Sequence, residues 1–421
     1  MCTVGEVPAT SLLGESTMSV SAATESPSFP IGRENLFDPA AALATFPPIS
    51  PVRLPDGETG WVDGWLVTTH AVARAVLSDQ RFSSERGRVN MATRQQSLRF
   101  RARSGNNAGL FISMDDPDHA RYRKLLTGQF TVKHMRSLEP RIQQIVDSAL
   151  DGLVAAGNPA DLVAEFALPV PSLVICELLG VDYGDRGTFQ DLTRTLLSLT
   201  ATPAESLAAG EGVRQFMLDL VTAKRANPDD AVISGLITSG AGLSDDELVG
   251  ISMLLLIAGH ETTANMLGLG TFALLQHPEQ MQRLRERPES MPDAVEELMR
   301  YLSIVGSTGL PRVAREDLEL AGTQVRAGQT VLISLPAVNR DPALGARPDE
   351  LDLGRERTHH LAFGHGIHQC LGQQLARVEM RIGFAALLER FPTLRLATPV
   401  DQVPMRTDMS IYGVHELLVA W

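Results

Sequence analysis

Three cysteines in 421 residues, Cys2, Cys176 and Cys370, are too few and too far apart for a disulfide scaffold. No Cys-x-x-C occurs, which argues against a cysteine-rich zinc or iron–sulfur site and fits a reducing cytoplasm. Basic residues are in deficit: 37 Lys and Arg against 50 Asp and Glu leave a net charge of −13. That balance disfavours a nucleic-acid surface and a polybasic membrane anchor. No stretch reaches the roughly 18 apolar residues of a membrane span. The longest, 248–258, contains Gly250 and Ser252 and is flanked by Glu247 and Glu261. The first thirty residues are rich in Ser, Thr, Ala and Pro and lack the basic start and apolar centre of a signal peptide. Residues 1–30 are therefore expected to be a disordered tail, with 31–421 forming one domain. There is no internal repeat and no Gly-rich dinucleotide fingerprint.

With 44% hydrophobic residues and a mean hydropathy of zero, the chain can bury a large core. Alternation from Val52 around Pro55-Asp56-Gly57 to Thr68 predicts a hairpin, and 69–77 a short helix. Residues 84–113, with several arginines and little periodicity, predict a long loop of the kind that forms lids or pocket walls. Asp116 is the expected N-cap of a helix with Pro117 at its first position, on which His119 and Arg123 share a face. Helical periodicity covers 138–155, 160–179, 188–199 and 208–223, and the break at 200–203 is a candidate lid. Ser244-Asp-Asp-Glu247 is a capping box that opens a helix running to His277-Pro278, about 32 residues or ~48 Å. Residues 308–336 alternate and predict strands. A mainly α body with a smaller β portion is the simplest fold.

Two stretches break local preference. Phe363-Gly-His-Gly-Ile-His-Gln-Cys-Leu-Gly372 holds a thiol in a glycine turn before the run 371–388. A helix N-terminus there would favour the thiolate. Such a sulfur is a nucleophile, a metal ligand, an axial ligand to haem iron, or simply a small buried hydrophobe. In the middle of the long helix, Ala258-Gly-His-Glu-Thr-Thr263 places a glycine, an acid and two threonines among apolar residues. A buried carboxylate there must be paired or wet. Glu297 and Arg300 form an i,i+3 ion pair, a common surface feature. Nothing marks a zinc site among His360, His365 and Cys370.

Together these pieces resemble the cytochrome P-450 superfamily of haem-thiolate monooxygenases, over nearly the whole chain after about residue 35. The haem-binding signature F-G-x-G-x-[HR]-x-C-x-G is matched at Phe363, Gly364, Gly366, His368, Cys370 and Gly372. The 258–263 stretch resembles the oxygen-binding motif of the central helix, which would cross the haem. Glu297-Leu-Met-Arg300 matches E-x-x-R, and Arg355 occupies the third place of a structural Glu-Arg-Arg triad. The texture is that of soluble actinobacterial members.

The resemblance implies heme b with Cys370 as axial thiolate, pushing electron density onto the iron. It implies Phe363 packed beside the sulfur and Gly364 and Gly372 shaping its loop. His119, Arg123, Arg312 and His368 match positions that bind haem propionates. Glu261 and Thr262 would deliver protons to dioxygen, with Ala258 and Gly259 leaving room for it and His260 facing away. The triad is expected to be structural. Substrate would be lined by 88–111, 186–211, 304–310 and 409–412, and a bulky hydrophobic polyketide, macrolide or steroid-like metabolite is implied. Electrons would come from a separate ferredoxin and ferredoxin reductase to a cytoplasmic monomer. A basic patch of Arg123, Lys124, Arg377 and Arg381 is expected to receive the ferredoxin. The rivals are a haem-thiolate enzyme that does not hydroxylate, a haem-binding sensor, and a haem-free cysteine nucleophile.

Overall fold

The computed structural model describes residues 26–56, 60–85, 108–306 and 309–421. The expected hairpin is present as β1 (Ile49–Asp56) and β2 (Gly60–Val67), but Pro55 and Asp56, expected in the turn, are paired within it opposite Trp61 and Gly60, and Gly57 lies outside the described residues. Then follow α1 (His70–Ser78), β3 (Phe82–Ser83), α2 (Asp118–Thr127), α3 (Val132–Ser137), α4 (Glu139–Ala156) and β4 (Ala160–Asp161). α5 (Pro169–Leu179), α6 (Arg186–Leu197), α7 (Pro203–Ala226) and α8 (Val232–Thr238) lead to the long α9 (Asp245–Gln276). α10 (Pro278–Glu286) and α11 (Met291–Leu302) precede β5 (Leu310–Ala314), β6 (Leu318–Leu320), β7 (Thr323–Val325) and β8 (Thr330–Ile333). α12 (Leu335–Val338), α13 (Gln373–Arg390), β9 (Arg395–Leu396) and β10 (Leu418–Ala420) complete the chain. The strands form a five-stranded sheet in the order β1-β2-β8-β5-β3, a three-stranded sheet β4-β10-β9 and the pair β6-β7. The fold is mainly α with a smaller β portion, as expected.

The α9 helix is the axle of the body. Ser244 Oγ accepts from Glu247 N at 3.2 Å and Glu247 Oε2 from Ser244 N at 2.8 Å, so the capping box is formed. Its 32 residues are buried almost throughout. Small residues let neighbours approach: a side chain at Gly270 would lie 2.6 Å from Phe384 of α13. One apolar cluster joins α9 to α4, α5, α7, α11 and α13, and the sheet has two smaller clusters of its own.

Several boundaries differ from expectation. α2 starts at Asp118, and Asp116 does not cap it. Its carboxylate instead lies 3.2 Å from His119 Nδ1. The expected helix 160–179 begins as strand β4 and a wide turn over 163–167, and the helix itself, α5, opens at Pro169. The tail expected over 1–30 is anchored at its end: Phe29 N donates to Arg53 O at 2.9 Å and the Phe29 ring is buried. Residues 1–25 lie outside the described residues, as do 86–107 of the expected loop and 307–308 of the expected pocket wall.

Candidate active site

The Cys370 loop is built by main-chain bonds. Cys370 N donates to Phe363 O at 2.9 Å, and Gly364 N to Leu361 O at 2.8 Å. Gly364 and Gly366 have φ of +70° and +72°, which only glycine adopts freely. A side chain at Gly366 would also strike the backbone oxygen of Leu77 at the end of α1. The loop is thereby nested on α1. α13 begins at Gln373, so Cys370 precedes the helix by three residues rather than standing at its first turn.

Cys370 lies on a wall. Its side chain is accessible, yet protein crowds it closely enough to push the thiol pKa up. Both hold for a sulfur at the floor of a cavity: dense mass beneath and open space above. The Gly372 amide, Arg123 and Arg377 pull the pKa the other way. The helix terminus expected to favour the thiolate is thus not at the sulfur, and burial pushes the thiol pKa up. Arg377 stacks 4.4 Å from the Phe363 ring centroid, beside the sulfur loop.

His119, Arg123, Arg312 and His368 converge on the same place. The His119 and His368 rings are 4.1 Å apart, and the Nε2 atom of each is buried without a partner. Burial, followed by the charges of Arg312, His119 and Arg123, drives the His368 pKa down to about 3. Arg312 Nη1 donates to its neighbour's carbonyl, Pro311 O, at 2.8 Å. Four nitrogen-rich side chains gathered with two orphaned imidazole nitrogens form a site for anion. Two carboxylates of a haem fit this donor set, and the accessible thiol fits its iron. At Gly372 a side chain would meet no protein atom within 4 Å.

A second open place lies on α9. Between 248 and 274 every residue is buried except 257, 258, 259 and 262. Ala258 and Thr262, one turn apart, form an accessible strip inside an otherwise buried helix. Thr262 Oγ1 donates to Ala258 O at 2.9 Å. A side chain at Gly259 would meet Ile175 Cδ1 at 2.8 Å, so the glycine lets α9 pack closely on α5. His260 does face away, with Nδ1 2.7 Å from Leu256 O and Nε2 3.1 Å from Thr193 Oγ1 of α6. Glu261 is buried and paired: Arg406 Nη2 donates to Oε1 at 3.1 Å and Asn265 Nδ2 to Oε2 at 3.1 Å. The acid is thus held by protein rather than turned to solvent. Arg406 and Asn265 escaped the sequence. Asn265 stands four residues from Glu261 and was legible by spacing; no local signal marks Arg406.

The triad forms. Arg300 Nε and Nη2 donate to Glu297 Oε2 and Oε1 at 2.7 and 2.8 Å, and Arg355 Nε to Oε1 at 3.1 Å. Arg300 also holds the carbonyls of Asn339, Pro348 and Glu350. This is a buried, satisfied network, not a surface pair. The expected basic patch is largely neutralised: Arg377 pairs with Glu296 at 2.5 Å and Arg381 with Glu139 at 2.7 Å. Arg123 is half-buried, which leaves Lys124 as the exposed member of the four. His360, for which no role was expected, lies 3.1 Å from Glu296. Of the expected substrate walls, 304–310 and 409–412 meet through Tyr412 N donating to Ile304 O at 2.9 Å.

An accessible thiol on a glycine loop, an anion-binding rim and a long buried helix with an open Ala–Thr strip define a haem-thiolate site. The sequence model of the cytochrome P450 family matches residues 60–414, and the chain belongs to that family of haem b-dependent monooxygenases, which bind the haem through a cysteine thiolate. It is 47% identical to pentalenic acid synthase of Streptomyces avermitilis, over 93% of this chain and 97% of that one. It is 43% identical to vitamin D3 dihydroxylase of Streptomyces griseolus, over 94% and 98%. The crystal structure of CYP105P1 in complex with filipin I superposes with a TM-score of 0.86 at 40% identity, covering 94% of this chain and 99% of that one. Among the described residues no helix is long and apolar enough to cross a membrane.

Proposed function

We propose that the protein inserts one oxygen atom of O2 into a bulky hydrophobic secondary metabolite, by hydroxylation or epoxidation of a polyketide, macrolide or steroid-like skeleton. The balance is RH + O2 + 2 e⁻ + 2 H⁺ → ROH + H2O. Cys370 would hold the iron of heme b through its thiolate, and Phe363, Gly364 and Gly372 would shape its loop. His119, Arg123, Arg312 and His368 hold the propionates. The two unpartnered Nε2 atoms beside the accessible thiol are the observation that carries this assignment. When bound, the haem supplies oxygen activation, with the thiolate as electron donor.

The chain's own residues do the rest. The Thr262 hydroxyl can release Ala258 O and turn its proton toward the cavity beside it. Glu261, adjacent in sequence, is the acid that resupplies protons through water. Ala258 presents only a methyl, which keeps the strip open. The substrate class is supported by the relatives' names, which include a vitamin D3 dihydroxylase and a filipin I complex. Electrons come from a separate ferredoxin and its reductase, as the family resemblance implies. The protein acts as a cytoplasmic monomer, and residues 31–421 form one catalytic domain.

The test is spectroscopic. The reduced carbon monoxide complex is expected to show the red-shifted Soret band of a thiolate ligand. Titration with vitamin D3 and filipin I as probes, and a wider screen of hydrophobic metabolites, should move the resting Soret band toward high spin. Oxygen-dependent product should follow with a surrogate ferredoxin and reductase. A colourless protein, or a band typical of an imidazole ligand, would overturn the assignment.

A further inference from the structure

Glu261 sits where two connections from α6 converge. The first runs through its neighbour: His260 Nε2 lies 3.1 Å from Thr193 Oγ1 of α6, and the His260 and Phe189 rings pack edge-on at 5.5 Å. The second runs through a narrow hairpin over 405–414. Its base is closed by the Met405–Val414 bridge and by Arg406 N donating to Gly413 O at 2.9 Å. From that base Arg406 reaches Glu261. Its tip is strapped to the end of α6: Leu199 N donates to Asp408 O at 2.8 Å, and Ser410 N and Oγ both donate to Leu197 O at 2.9 Å. At the base, Gly413 packs so tightly on the Asn265 amide that a side chain there would overlap it, and Asn265 is the other ligand of Glu261.

We infer that Arg406 is a positioning residue for Glu261, and that the 405–414 hairpin makes its grip depend on where the end of α6 stands. The inference rests on the proposed monooxygenase reading. The grip has play in it. Only one N–H···O bond joins the pair, although a guanidinium can offer a carboxylate two. The Arg406 Nε atom, in contrast, is buried with no partner. A small shift of the hairpin exchanges one arrangement for another without removing the charge pairing. Residues 186–211 were expected to cover the substrate. Movement of that cover therefore reaches the proton-handling acid through main-chain bonds. Interfaces of this kind pass small shifts as changes between discrete arrangements.

The experiment uses the haem-loaded full chain and needs no identified substrate. Hydrogen exchange is followed at the Leu199 and Ser410 amides, and oxygen consumption with a surrogate ferredoxin and reductase is compared in H2O and D2O. Arg406→Gln is expected to speed exchange at both amides by about tenfold and to raise the solvent isotope effect. Arg406→Lys should return both most of the way. Should Arg406→Gln fold poorly, the double variant with Glu261→Gln removes the unpaired charge and still reports exchange at the strap. Unchanged exchange overturns the coupling. An isotope effect altered by Glu261→Gln but not by Arg406→Gln overturns the positioning role. If Glu261→Gln itself leaves the isotope effect unchanged, the proton-delivery role in the proposed function falls and takes the positioning role with it, while the exchange data still decide the strap.

Discussion

Arg377 Nε lies 2.5 Å from Glu296 Oε1, and the same guanidinium covers the Phe363 ring. A cation that the sequence offered to a redox partner is instead a brace under the cysteine loop. Burial pushes the Glu296 carboxyl pKa up, but hydrogen bonds from His360 and Arg377 outweigh it and bring it to about 2, against an ordinary 4.5. The folded value is the lower one, so the brace contributes fully above about pH 4.5 and its contribution fades as pH falls toward about 2. Glu296→Gln should therefore lower the urea midpoint at pH 7 and lower it much less at pH 3. An equal loss at both pH values would refute the brace.

Glu297→Ala strips the acid from Arg300 and Arg355, leaving a guanidinium that is only 1% exposed without its counter-ion. The expected cost is ~3–5 kcal/mol. The segment 339–355, tied to Arg300 by three carbonyls, leads into the cysteine loop. Purified Glu297→Ala should therefore carry less haem per chain, and a full complement would count against the triad.

The paired imidazoles give a retention test. His119→Ala removes one charge-assisted bond, ~1.5–3 kcal/mol, and should speed haem transfer to apomyoglobin about tenfold or more. Cys370→Ser should instead abolish the red-shifted band of the carbon monoxide complex. If both variants changed the same observable in the same way, rim and ligand would not be separate.

Thr262→Ala should leave reductant consumption largely intact and divert it to peroxide, O2 + 2 e⁻ + 2 H⁺ → H2O2. Product per reductant is the measurement, and an unchanged ratio would remove Thr262 from proton delivery.

Gly259→Ala separates packing from chemistry. Its new methyl meets Ile175, so a loss of ~1–3 kcal/mol is expected from overpacking. Ile175→Val in the same chain should restore part of the melting temperature. Loss of oxygen chemistry without loss of stability would return Gly259 to the cavity.

The fold was legible where local rules suffice. The capping box at Ser244 and the glycines around His365 each specify one backbone shape. The cysteine loop, the triad and the cluster of His119, Arg123, Arg312 and His368 were legible because their residue types stand in a fixed order. What stayed hidden lies between distant segments. Glu296 looks like any helix carboxylate until His360 and Arg377 arrive from 64 and 81 residues away. Arg406 pairs with Glu261 across 145 residues. The approach of Ile175 to Gly259 was hidden too, because a motif names the glycine without saying what packs on it.

The Gly372 amide donates to the Cys370 sulfur, and the Cys370 amide is already engaged by Phe363. One of the groups that lower the Cys370 pKa is therefore backbone, which among substitutions only proline would delete, while the other two, Arg123 and Arg377, are side chains open to exchange.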